Sequence, residues 1–111
     1  MITEKSLKAD INIATAASHT IIVAPSGTSE YIVIDHINLN AAGTQTVQLK
    51  DGSTSYGGVY ALSTDQSNLV LDNSYQNEDG VITLSSGSAL VITLTQAVQV
   101  SGFVRYRIKN R

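Results

Sequence analysis

The side chains able to do acid–base chemistry near neutral pH are two histidines and nine carboxylates, spread through 111 residues without cysteine. His19 and His36 fall in separate strand-like segments, and no ligand or base is spaced around either. A lone histidine on a strand reads as a structural residue, not as a metal ligand or catalytic base. Adjacent carboxylates occur at Glu78-Asp79, in a polar stretch before Gly80. A glycosidase needs two carboxyl groups facing each other across a sugar, which loop neighbours do not supply. Oxygen donors gather at Asp72, Asn73, Asn77, Glu78 and Asp79, a composition open to calcium. Their spacing follows no calcium-loop pattern, and a solvated turn is the simpler reading. There is no glycine-rich phosphate loop ahead of a helix, no G-x-S-x-G elbow and no thiol nucleophile. The sequence therefore reads as a non-enzyme with no cofactor, no metal and no small-molecule substrate.

Charge placement and one aromatic remain. Net charge is −2, but six of the seven basic residues lie at the ends: Lys5, Lys8, Arg105, Arg107, Lys109 and Arg111. Residues 9–104 hold eight of the nine acids and, among the bases, only Lys50. This is an acidic body with basic termini, expected either as a solvated sheet edge or as an edge that docks on an acidic partner. Nucleic acid is a poor candidate for that partner, and none is expected. The basic stretch is short, and the body would repel phosphate. Phe103 alternates with Gln99, Ser101, Arg105 and Arg107, which predicts that it faces away from the core. The same outward parity one strand earlier picks Val91, Thr93 and Thr95. An outward Phe beside Arg is a candidate interface anchor, set against the reading of a single surface aromatic.

The elements that would position these residues are strands. Residues 7–13 alternate with odd positions apolar. Residues 19–24 stop at Pro25-Ser26-Gly27. Residues 31–40 start apolar on both faces, which predicts a central strand. Residues 46–50 alternate and run into Asp51-Gly52, a pair suited to positive φ. Residues 56–62 carry two glycines and predict a bulge. Residues 68–72 and 81–84 are short, with a polar loop over 73–80 between them. Residues 89–95 put Leu90, Ile92 and Leu94 on one face. Residues 98–108 put Val98, Val100, Val104, Tyr106 and Ile108 on one face, with Gly102 interrupting. A two-residue hairpin between the last two strands would spoil the inward parity of Leu94 and Val98. That leaves an odd-length loop or a crossing between sheets. The inward parity predicts burial of Ile11, Ile13, Val33, Ile37, Leu39, Val47 and Leu49 as well.

No window of ten residues holds a helical period. Ala14–Ser18 is too short to nucleate a helix alone. Many short strands without helices predict an all-β fold: a two-sheet antiparallel sandwich, jelly-roll-like, of about eight strands. One domain over 1–111 is expected, with 1–8 a possible N-terminal arm. The first residues lack the apolar core of a leader, and no run is long enough to span a membrane. Synthesis in a cytoplasm and no membrane partner are expected.

The order of segments resembles small β-sandwich virion proteins of tailed bacteriophages. The shared features are Pro25-Ser26-Gly27, the T-V-x-L-x-D-G run at 46–52, the G-x-x-x-L-x-x-G-x-A-L-x-I run at 80–92 and the V-x-V-x-G-x-V-x-Y run at 98–106. The resemblance covers about 90 of the 111 residues. It implies a jelly roll similar to tumour necrosis factor, often trimeric, serving as a capsid decoration (cement) protein. The capsid surface of the virion, with the major capsid protein as partner and synthesis in the host cytoplasm, is then the expected location. A tail, fibre or baseplate module that binds a host receptor or carbohydrate is the alternative. The expected interface residues are Lys5, Lys8, Phe103, Arg105, Arg107, Lys109 and Arg111. An uncharged face around Phe103 is the motive for expecting a homotrimer.

Overall fold

The computed structural model describes residues 4–111. No helix occurs among them. The strands are β1 (Leu7–Ile13), β2 (Ser18–Ile22), β3 (Glu30–Ala41), β4 (Gln45–Asp51), β5 (Thr54–Leu62), β6 (Asn68–Asp72), β7 (Ile82–Thr83), β8 (Leu90–Leu94) and β9 (Val100–Asn110). All pairings are antiparallel. One sheet runs β1-β9-β3-β6, with β7 also paired to β3; the other runs β2-β8-β4-β5. The chain changes sheet after β1, β2, β3, β5, β7 and β8, which makes the sandwich a jelly roll. The strand count is nine, one more than expected.

The core lies between the inner faces, where each strand contributes alternate apolar residues. Ile37 and Leu39 of β3, Val47 and Leu49 of β4, Leu90 and Ile92 of β8, and Val100 and Val104 of β9 are at most 1 % exposed. Ile13, Val98 and Tyr106, also expected inside, are only half-buried, at the margins of this core. Val98 precedes β9, in the segment that crosses from one sheet to the other. One polar side chain organises that crossing. Gln45, fully buried at the start of β4, donates from Nε2 to the carbonyls of Gln96 and Val98 at 2.7 and 3.0 Å. Its Oε1 accepts from the amides of Thr46, Thr95 and Gln96. A buried amide satisfied on both ends holds a bend that apolar packing could not direct.

β3 explains the run of apolar residues at its start. A bulge at Asp35 shifts its register with β9 between Ile34 and His36. Below the bulge β3 pairs with β6, and above it with β7. β6 and β7 are thus two halves of one edge, interrupted by an excursion over 73–81. Gly80 brings that loop back: its φ is +64°, and a Cβ there would lie 2.3 Å from the Ile34 carbonyl oxygen. Val33 is on the outward parity of β3, yet it is fully buried, because the returning loop and β7 flank it.

Gly102 marks the tightest approach in the other sheet contact. A Cβ on it would stand 1.9 Å from the Asn38 carbonyl oxygen and 2.7 Å from the Leu39 Cα. Both are backbone atoms of β3, so no side chain can turn away. Gly102→Ala is expected to destabilise the fold by about 1–3 kcal/mol through overpacking. Urea denaturation checks this, and an unchanged midpoint would show that β3 and β9 separate freely at this rung.

Candidate interaction surface

Lys8, Phe103 and Arg105 of the predicted residues lie on the outer face of the β1-β9-β3-β6 sheet. Direct register pairs share a face, so its rows can be read off the ladder. One row is Asn12, Ser101, Asn40 and Asn68; the next is Asp10, Phe103, Asn38 and Val70; the third is Lys8, Arg105, His36 and Asp72. Phe103 sits in the middle of this face, half-buried, stacked on the His36 ring with centroids 5.4 Å apart. His36 Nδ1 lies 3.0 Å from Asp72 Oδ1, which fixes the ring under Phe103. Val70, in the same row, is 53 % exposed. Phe103 and Val70 are the two apolar side chains of these three rows, between a row of Asn and Ser and a row of charged and imidazole groups.

Val91, Thr93 and Thr95 do not belong to this face. β8 and β9 lie in different sheets, so their outward residues point to opposite sides of the sandwich. The single uncharged patch expected around Phe103 is therefore two surfaces. On the far one Ser18, Thr93, Gln48 and Val59 form a row, and Lys50 is the one charge on the β4 side.

The basic strip is largely neutralised. Arg107 keeps its outward parity, but it is fully buried rather than exposed. The cause is the 73–81 loop and the segment before β1, which fold over the sheet there. Asp35, turned outward by the bulge, receives Nε and Nη2 of Arg107 at 2.7 and 2.8 Å, a bidentate pair. Nη1 donates to Glu4 at 3.0 Å and to Glu78 at 3.2 Å, and Nη2 to the Glu78 carbonyl at 3.0 Å. Lys109 donates to the same Glu78 carboxylate at 2.9 Å. That hydrogen bond, reinforced by the charges of Lys109 and Arg107, holds the Glu78 carboxyl below its ordinary range. It also raises Lys109. Arg107 is raised as well, first by its hydrogen bonds to Asp35. The loop read as a solvated turn is thus half of an ion-pair clasp. Within the loop, Asn73 Nδ2 donates to the Asn77 carbonyl, and the Asn77 and Asp79 amides donate to the Asn73 and Asn77 side chains. Asn73 also ties the loop to the bulge, donating from Nδ2 to Asp35 Oδ1 at 3.0 Å and from its amide to the Asp35 carbonyl.

Arg111 lies 4.0 Å over the Tyr31 ring and donates to Ser86. Lys8 pairs with Asp10 at 3.1 Å, exposed on both sides. Lys5 and Arg105 are exposed, and neither has an ion-pair partner among the described residues. The interface set read from sequence thus divides. Lys5, Lys8, Phe103 and Arg105 stay accessible, whereas Arg107, Lys109 and Arg111 are engaged within the chain. The possible N-terminal arm is folded back where it is described: Leu7 and Lys8 are in β1, and Glu4 is held by Arg107. Residues 1–3 lie outside the described residues.

His19 Nε2 lies 2.9 Å from the Thr15 carbonyl oxygen and closes the turn before β2. No group of three His, Asp or Glu side chains among the described residues is arranged to hold a metal ion. A cleft of about 600 Å³ opens where the two sheets part beside β2. It is lined by Ile21, Ile22, Val23, Pro25, Tyr106 and Ile108, with Glu30 at its polar end. Glu30 already accepts the Gly27 amide at 2.8 Å, so no free acid–base pair faces this space.

No family model matches the chain, and no curated protein does. A solved structure of the virus-like particle of extra small virus, from the giant freshwater prawn Macrobrachium rosenbergii, is similar over 94 % of this chain and 77 % of that one. Identity is 21 % and the TM-score 0.48.

Proposed function

We propose that the protein is a structural, non-enzymatic part of a virus particle: a capsid decoration protein, trimeric, that binds and stabilises the major capsid shell. The observation that carries this reading is the outer face of β1-β9-β3-β6, with Phe103 at its centre. A broad face with an aromatic anchor suits a protein surface, whereas a small substrate needs a concave site with convergent polar groups. The jelly-roll topology agrees with the resemblance carried by Pro25-Ser26-Gly27 and the runs at 46–52, 80–92 and 98–106. Arg105 and Lys5, which have no ion-pair partner among the described residues, replace the longer basic strip as the groups that steer approach to an acidic shell. Steering of this kind affects encounter rate more than affinity, and each exposed pair is worth only about 0.2–1 kcal/mol.

The test is purified protein added to undecorated heads at low and at high ionic strength. Phe103→Asp is expected to reduce occupancy severely at both. Lys5→Glu with Arg105→Glu is expected to slow binding mainly at low salt, where screening is weak. Equal occupancy for all three proteins would remove this face from the contact.

One observation favours the second reading, a tail or fibre module for a receptor or carbohydrate. Tyr75, on the 73–81 loop, is 95 % exposed. An aromatic presented on a loop can stack on a sugar ring. Copurification with tails, and not with heads, would establish that reading over the first.

A further inference from the structure

We propose that β5 is a self-pairing edge, through which two copies of this chain join antiparallel about a two-fold axis at Tyr60. This contact lies on the other sheet from Phe103 and does not rest on the capsid reading. In trimers it would join one trimer to the next.

Exposed sheet edges are usually guarded by charge, proline, shortness or a bulge. β1 carries Lys8 and Asp10, β6 ends at Asp72, and β2 is five residues long with its register broken near Ile21. β5 is nine residues long, and the chain has no charge and no proline from Gly52 to Thr64. Tyr56 and Val59 are 38 and 58 % exposed on it. Its one guard is the bulge between Ser55 and Val59, which leaves 59–62 regular against β4.

Parity and charge select the register. Opposite residues of an antiparallel pair share a face, so the numbers of paired residues must add to an even sum. Centred on Tyr60, the pairing sets Val59 opposite Ala61 on the outside. Inside, Tyr60 meets its own copy, and Gly58 meets Leu62. Gly58 is open: a Cβ on it would meet nothing within 4 Å. Beside the edge is a cleft of about 480 Å³, lined by Tyr60, Leu62, Asp65 and Leu69 among others. An added strand would place its inward Tyr60 over this space, in the manner of β-augmentation. In this register the paired segment carries no charge, so no acid faces an acid. An uncharged strand repeated by a two-fold axis is complementary to itself.

The absence of cysteine makes the test direct. Val59→Cys combined with Ala61→Cys places each thiol opposite the other kind, about 4.5–5.5 Å apart at Cα, within disulfide reach. Either single variant leaves like thiols on the diagonal, about 7–8 Å apart, beyond that reach. At tens of micromolar, mild oxidation is expected to convert most of the double variant to covalent dimer and little of either single one. The same oxidation in urea sets the background. Single variants that cross-link as fully as the double, or a double variant no better than its urea control, would overturn the proposal. Loss of head binding would leave this result untouched, as failure here would leave the Phe103 face untouched.

Discussion

Arg107→Met should destabilise the fold by about 3–5 kcal/mol, the usual result of removing one partner from a buried ion pair. The lower end applies, because Asp35, Glu4 and Glu78 keep 19, 28 and 41 % of their side-chain surface in contact with solvent. Thermal unfolding should fall by roughly 10–20 °C for a domain of this size. The damage comes from carboxylates left without their cation, more than from lost Coulomb attraction. Asp35→Asn added to Arg107→Met should therefore regain part of the loss. A double variant less stable than Arg107→Met would mean that Arg107 acts by packing alone.

The clasp has a pH window with a definite sign. The Glu78 carboxyl is lowered from its ordinary value of 4.5, so its contribution is present above that pH and disappears as acid carries the pH through the lowered value. Lys109 is raised from 10.5, so its contribution is complete below that pH and disappears as alkali carries the pH through the raised value. Stability of the native protein should be broad between these limits and fall outside them. Glu78→Gln should flatten the acid limb, with urea midpoints across pH as the readout.

What the sequence made legible follows from what governs each element. Alternation is a local signal, and β1, β4, β6 and β8 lie within about a residue of where it puts them. Parity also ruled out a two-residue hairpin between β8 and β9 and left an odd-length loop or a crossing; the structure has the crossing. Arg107 is different. Its parity was readable, but its burial depends on a bulge at Asp35 and on a loop that returns only because Gly80 can pass the Ile34 carbonyl. These are contacts between residues 35, 78 and 107, and no local window holds them. Gln45 is intermediate. Its inward parity with Val47 and Leu49 was visible, and a polar residue at such a position signals a buried hydrogen-bonding task; which carbonyls it serves was not readable. The two-sided fate of Phe103 and Val91 came down to which sheet each strand joins, a matter of topology that alternation cannot express.

Ile92→Ala should cost about 2–5 kcal/mol, the sum of lost transfer energy and the cavity left behind. Ile92 is fully buried, in a strand with neighbours on both sides: it pairs with His19 of β2 and Leu49 of β4. A position flanked on both sides collapses poorly after truncation, because closing the gap would need two ladders to shift at once. The upper half of the range is therefore expected. The contrasting variant is Val70→Ala at the β6 edge, 53 % exposed, where little area leaves water and the change should stay within about 0.5 kcal/mol. Chemical denaturation of both proteins measures the difference. A loss under about 0.5 kcal/mol at Ile92 would mean that the inner face of β8 is not the centre of the core.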